Sequence, residues 1–159
     1  MFTIEMMDLP EKRLISLPHA GDYMQIGHKF DQLLMQAGTL GLIKEDTPII
    51  GLYYGDPQSI PVEELRSAAC VGINESDFSK IESDVYVEQI IPKGQYATLL
   101  FKGPYPEISS AYSWMFGEWL PSSGLHAGDF PAMEEYLNDP KKTAPEELLT
   151  RIHCLIKTD

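Results

Sequence analysis

The segment FPAMEEYL (130–137) places two adjacent glutamates in a run of apolar and aromatic residues. Strand alternation puts Glu134 and Tyr136 on one face, with Met133 and Glu135 on the other. A carboxylate in apolar surroundings is costly unless a cation, a hydrogen-bond donor or a proton compensates it. Glu134 could therefore neutralise a cationic ligand or act as a general acid or base. A solvent-facing edge position would make it merely structural, and Glu135 could equally hold the inward place.

Glu134 has a counterpart, because the chain repeats itself. At an offset of 82, Pro10, Leu17, Gly21, Tyr23 and Ile26 coincide with Pro92, Leu99, Gly103, Tyr105 and Ile108. Five identities in 17 positions exceed the roughly one expected by chance. At an offset of 83, YYGDPQSIPVEEL (53–65) aligns with YLNDPKKTAPEEL (136–148), and Gly51 falls opposite Glu134. One half carries a carboxylate where the other has no side chain. Gly51 leaves room for a planar ligand or marks a bulge, and Tyr53 shares its face.

These positions need elements to hold them. RLISLPH (13–19), PIIGLYY (48–54), SAACVGI (67–73), QYATLLF (95–101), AMEEYL (132–137) and TRIHCLIK (150–157) have strand character. Ile26, Phe30, Leu33, Leu34 and Ala37 form a helical stripe, repeated by Ile108, Tyr112, Met115, Phe116 and Trp119. Asp22 fits a helix cap and Pro106 a first turn, while Gly38, Gly41, Pro121 and Gly124 are stop signals. The pattern is strand–helix–strand–strand, twice. It predicts a single α+β domain over residues 1–159, with repeat one at about 1–75 and repeat two at about 83–159. Antiparallel sheets, approximate two-fold symmetry and a central ligand groove complete the expectation. The polar stretch 75–84 reads as a connector.

Trp119 lies on the core stripe. Trp114, Tyr105 and Phe101 are candidates to stack on a ligand. Tyr23 and Tyr105 follow the repeated glycine, where a ring could also plug the helix end. The four histidines have no partners at metal-ligand spacing, and no serine-nucleophile or phosphate-loop motif occurs. Neither a metal nor a cofactor is expected.

The formal net charge is −12, from 24 acids against 12 Lys and Arg. Phosphate backbones attract basic surfaces, so direct DNA binding is not expected. An acidic chain suits cationic ligands or basic protein surfaces. No apolar run approaches the ~20 residues of a membrane span, and the acidic N-terminus is unlike a signal peptide. Cys70 and Cys154 make no disulfide framework. A cytoplasmic location is expected.

Over essentially the whole chain the sequence resembles the GyrI-like small-molecule-binding domains. That group includes effector-binding domains of AraC-type and multidrug-sensing regulators and the DNA gyrase inhibitory protein. The family pattern "GGxYAVxxHxGPY" is seen here as KGQYATLLFKGPY (93–105), and "FExYLNDP" as MEEYLNDP (133–140). The resemblance implies a groove in which a strand glutamate, here Glu134 with Tyr136, faces hydrophobic and often cationic aromatic compounds. Met133 replaces the motif's aromatic residue and Phe101 its usual histidine. Strand-like residues begin at Met1, so a stand-alone binding domain is expected, without a helix-turn-helix.

The expected ligand-binding set is Glu134, Tyr136, Tyr53, Gly51, Phe101, Tyr105, Trp114 and Trp119. Some stand-alone relatives suggest an enzyme, a hydrolase opening the cyclopropane ring of DNA-alkylating natural products. Glu134 would then polarise a water while Tyr136 or Tyr54 bonds the developing phenolate. A third alternative is an inhibitor of DNA gyrase or another protein partner.

Overall fold

A computed structural model describes residues 2–81 and 84–158. The chain forms two compact units. Unit 1 comprises residues 1–10 and 93–159, and unit 2 residues 11–92. Among the described residues each unit holds four antiparallel strands of an eight-stranded sheet, with helix packed on them, an α+β arrangement.

In unit 2, β2 (Lys12–Ala20), β3 (Ile49–Tyr53), β4 (Arg66–Val71) and β5 (Val87–Ile91) pair in the order β3-β4-β2-β5. Helix α1 (Gly27–Thr39) buries Leu33 and Ala37. They pack against Ile15 and Leu17 of β2 and Ala69 and Val71 of β4. Each fully buried leucine of this kind contributes about 1.5–3 kcal/mol.

In unit 1, β1 (Ile4–Leu9), β6 (Gly94–Lys102), β7 (Ala132–Tyr136) and β8 (Leu149–Leu155) pair in the order β1-β6-β8-β7. The helical run consists of α2 (Ser109–Trp114), a π turn (Met115–Trp119) and α3 (Leu120–Ser123). Ala111 and Met115 pack on Ala97, Leu99, Phe101 and Ile152.

Six strands fall where the hydrophobic pattern places them. β1 lies in the strand-like start of the chain and β5 is additional, and both pair away from their chain neighbours: β1 with β6 and β5 with β2. Pro10 and Pro92 stand directly after or near these strands, where the missing N–H and fixed φ interrupt the extended run. The strand start expected at Met1 lies outside the described residues. The stretch 75–84 is more than a connector: Glu75–Lys80 is a 3-10 run whose Phe78 packs on the core. Residues 82 and 83 of it lie outside the described residues.

Three end signals act differently from expectation. Asp22 caps a 3-10 turn (Tyr23–Gln25) ahead of α1, accepting from Met24 N at 2.9 Å. Pro106 likewise sits in a 3-10 turn, Tyr105–Glu107. Pro121 does not end its helix; it lies within the first positions of α3, and Gly124 (φ +79°) terminates the run. Proline cannot donate to the carbonyl one turn back and its ring crowds that carbonyl, so the π turn before it provides the needed widening.

The repeated Gly-x-Tyr now has a physical basis. Gly21 (φ +101°) and Gly103 (φ +146°) occupy backbone conformations that side chains disfavour. Each donates its N–H across the sheet end at 2.9 Å, Gly21 to Leu65 O and Gly103 to Leu148 O. At Gly103 a Cβ would also lie 3.2 Å from the Phe101 ring.

Candidate functional site

Glu134 sits mid-strand on β7, opposite Ile152 of β8, and is 8% exposed. Its face is the one α2 covers. Tyr112, from the first turns of α2, donates its hydroxyl to Oε2 at 2.6 Å. Tyr136, two residues along β7, donates to Oε1 at 2.9 Å. The shorter contact is in the range of a charge-assisted O–H···O⁻ bond. Burial pushes the Glu134 carboxyl above the usual glutamate value, and the Tyr112 and Tyr136 hydrogen bonds oppose that rise. No Lys, Arg or His is paired with it among the described residues.

Tyr105 completes this corner from the 3-10 turn after Gly103. Its ring meets Tyr136 edge-on, centroids 5.5 Å apart. Burial, the Glu134 charge and the Asp139 charge push its hydroxyl up to about 12, so it stays protonated at neutral pH. No hydrogen bond engages that hydroxyl among the described residues. Tyr112 is held in place by a stacked contact with Phe116, centroids 5.7 Å apart.

Glu135 takes the opposite face. There His153 Nε2 donates to Glu135 Oε1 at 3.1 Å, and Nδ1 pairs with the Thr98 hydroxyl at 2.8 Å. Arg151 stands 3.7 Å from the same carboxylate. Glu134 therefore holds the helix-side position, and Glu135 belongs to a separate polar row.

The expected residues divide into groups. Glu134, Tyr136 and Tyr105 come together in unit 1. Phe101 is 7% exposed and belongs to the core beneath α2. Trp114 and Trp119 are half-buried against the same core, and Trp114 also meets the Phe2 ring at 5.7 Å. Gly51, Tyr53 and Tyr54 lie in unit 2. Gly51 is buried on β3 opposite Ala69, Tyr53 packs edge-on against Tyr23 at 4.9 Å, and Tyr54 is 48% exposed. Tyr112 is the residue that sequence reasoning missed. It reads as core stripe, and its only signal is a hydroxyl among otherwise apolar stripe positions.

Two shallow depressions of about 290 and 240 Å³ open elsewhere, the first around Met35 and Tyr86, the second around Leu155 and Lys157. Neither is lined by Glu134. Among the described residues no group of three or more His, Cys, Asp or Glu could hold a metal. None of the described helices is long and apolar enough to cross a membrane.

An α+β domain with antiparallel strands and a carboxylate ringed by tyrosines fits a small-molecule-binding module. The chain matches the GyrI-like small molecule binding domain over residues 2–157, and it belongs to that family. A DNA gyrase inhibitor from Erwinia billingiae is 34% identical over 93 residues, 58% of this chain and 59% of that protein's length. The structure of EcmrR in an EcmrR–DNA complex is similar with a TM-score of 0.82 at 20% identity, over 99% of this chain and 58% of that one. SAV2435 bound to tetraphenylphosphonium gives 0.62 at 16% identity, over 98% of this chain and 94% of that one. The two structural likenesses show a shared fold.

Proposed function

We propose that this chain binds hydrophobic, cationic aromatic small molecules at the Glu134 corner. The ionised carboxylate is the polar anchor, and the tyrosine rings of residues 105, 112 and 136 supply aromatic contact. One observation carries the reading: a carboxylate only 8% exposed whose compensation consists of two neutral hydroxyls. Such a group gains more from a ligand cation than one already paired with Arg or Lys. The SAV2435 structure, bound to a lipophilic cation, supports this ligand class. Duplication of the halves, the central groove, and a contribution from Gly51, Tyr53 and Tyr54 stay part of this proposal.

The test is a tryptophan-fluorescence titration with planar hydrophobic cations and neutral aromatics, for wild type and Glu134→Gln. Saturable quenching by cations, weakened at least about tenfold in Glu134→Gln with neutral aromatics unaffected, is expected. Cation affinity should also increase as pH rises through the elevated Glu134 pKa. Stability of the ligand-free protein runs the other way. A folded pKa above the unfolded one gives stability that is complete below the ordinary glutamate value and is lost as pH rises through the folded pKa. Glu134→Gln should flatten that dependence. Equal cation affinity in the two proteins would overturn the anchor.

The gyrase-inhibitor names of relatives such as the Erwinia protein support a second reading, a protein partner. If ligand affinity ignores Glu134→Gln while the chain inhibits gyrase supercoiling, that reading replaces the first. Product analysis of the same titration mixtures tests hydrolysis.

A further inference from the structure

Beside Glu134 the same sheet face holds a polar atom that the binding reading leaves unused. Thr150 of β8 is fully buried, and its Oγ1 has no hydrogen-bond partner among the described residues. In register it stands opposite Tyr136 on β7 and Phe101 on β6, so these three side chains share a face. One row along that face, Ile152 stands between Glu134 and Leu99. Glu134 and Thr150 are thus diagonal neighbours on adjacent strands, a relation that sets the two residues about 7–8 Å apart, with their Cβ atoms somewhat closer.

A buried hydroxyl without a partner is unfavourable, and β-branched shape alone would be served as well by valine. The arrangement also occurs in unit 2. Ser67 of β4 is 2% exposed, stands opposite Tyr53, and its Oγ likewise has no hydrogen-bond partner among the described residues. In both units the vacant hydroxyl lies next to the tyrosine of an edge-on pair, Tyr53 with Tyr23 and Tyr136 with Tyr105.

We propose that Thr150 is a second polar contact of the Glu134 site. It would select cationic aromatic ligands that carry a hydrogen-bonding oxygen or nitrogen about 7–8 Å from the positive centre. Glu134 fixes the charge and Thr150 the distal polar group, with Tyr136, the cross-strand neighbour of Thr150 and hydrogen-bond partner of Glu134, beside both. This specificity role rests on the binding function proposed above.

The experiment compares two probes, tetraphenylphosphonium and the same cation bearing one para-carboxamide, whose oxygen reaches that distance. Affinities are measured for wild type, Thr150→Val and Glu134→Gln, together with melting curves of the ligand-free proteins. Wild type should bind the carboxamide about 3- to 10-fold more tightly than the parent cation, the worth of one hydrogen bond. Thr150→Val should abolish that preference, change parent affinity by less than about twofold, and melt no lower than wild type. Glu134→Gln should weaken both probes. A preference that survives Thr150→Val, a wild type without preference, or a lower melting temperature for Thr150→Val overturns the Thr150 role and leaves the Glu134 anchor standing. If wild type binds neither cation, the anchor itself fails and this role with it.

Discussion

The two units use the same corner for different ends. In both, a glycine with positive φ leads into a 3-10 turn whose tyrosine meets a β-strand tyrosine edge-on, at 4.9 Å for Tyr23–Tyr53 and 5.5 Å for Tyr105–Tyr136. Three substitutions then separate them at the repeat offsets. Unit 1 has Glu134, Tyr112 and Asn138 where unit 2 has Gly51, Phe30 and Gly55. In unit 2 the Tyr23 hydroxyl latches the strand end, accepting from Gly55 N at 2.9 Å and facing Gly55 O at 3.0 Å and Arg66 O at 3.1 Å. In unit 1 the strand end is tied by the Asn138 side chain to other backbone groups, donating to Glu147 O at 3.1 Å and accepting from Leu149 N at 3.0 Å. The Tyr105 hydroxyl makes no equivalent bond among the described residues. Backbone scaffolding is shared, and the chemistry resides in a few side chains.

The largest effect should come from forcing unit 2 to imitate unit 1. Gly51→Glu places a carboxylate on a buried strand position whose counterpart to Tyr112 is Phe30, which has no hydroxyl to donate. An unpaired buried charge costs about 3 kcal/mol or more. Urea denaturation should show that loss, and Phe30→Tyr added to it should recover part. A midpoint for Gly51→Glu close to wild type would break the comparison, since it would mean that the position tolerates charge without a donor.

A smaller loss should follow from making unit 1 resemble unit 2 at one atom. Tyr112→Phe leaves Glu134 with Tyr136 alone. Removing a hydrogen bond to a charged group costs about 1.5–3 kcal/mol. Because the Tyr112 bond lowers the Glu134 pKa, its removal pushes that pKa further up. The penalty should therefore shrink as pH falls and Glu134 takes up a proton. Denaturation of Tyr112→Phe in wild-type and Glu134→Gln backgrounds, at neutral and mildly acid pH, checks this. Identical penalties in every condition would show that the Tyr112 hydroxyl stabilises the fold by something other than its bond to the Glu134 carboxylate.

Much of this was legible before any coordinates, for identifiable reasons. Six strands and two helical stripes announce themselves because each buries one face, and period two or period 3.6 is then imposed on the residue types. The Glu134–Tyr136 hydrogen bond joins residues that alternation had placed on a common face. What stayed hidden depends on partners remote in sequence. β5 reads VEQII, an edge strand with a half-exposed pattern, and the partner of the strand-like start IEMMDL (β1) is β6 rather than its chain neighbour. Pro121 looks like a stop because sequence cannot show a π turn making room for it. Tyr112 is indistinguishable from a core aromatic until Glu134 is seen beneath its hydroxyl. Thr150 carries no signal at all, since a threonine in a strand is ordinary and only its missing partner is not.

The finest discrimination lies between the paired tyrosines, and it can be read without any ligand. Tyr23→Phe strands Gly55 N–H at the end of β3, the one group there that can only donate. Losing such a bond costs about 1 kcal/mol, with more if the amide stays dry. Tyr105→Phe removes a hydroxyl that makes no hydrogen bond among the described residues, while keeping the ring against Tyr136, so its effect should stay within about 0.5 kcal/mol. Paired denaturation curves measure the difference. An equal loss in both would mean that Tyr105 also carries structural weight and that the two corners are built alike. Loss in Tyr23→Phe alone, joined to weaker binding of a cationic aromatic by Tyr105→Phe, would assign the latch to one tyrosine and the ligand to the other. Asn138 marks the same division from the other side: in unit 1 its side-chain amide ties the strand end, to Glu147 O and Leu149 N, where unit 2 has Gly55 and uses the Tyr23 hydroxyl.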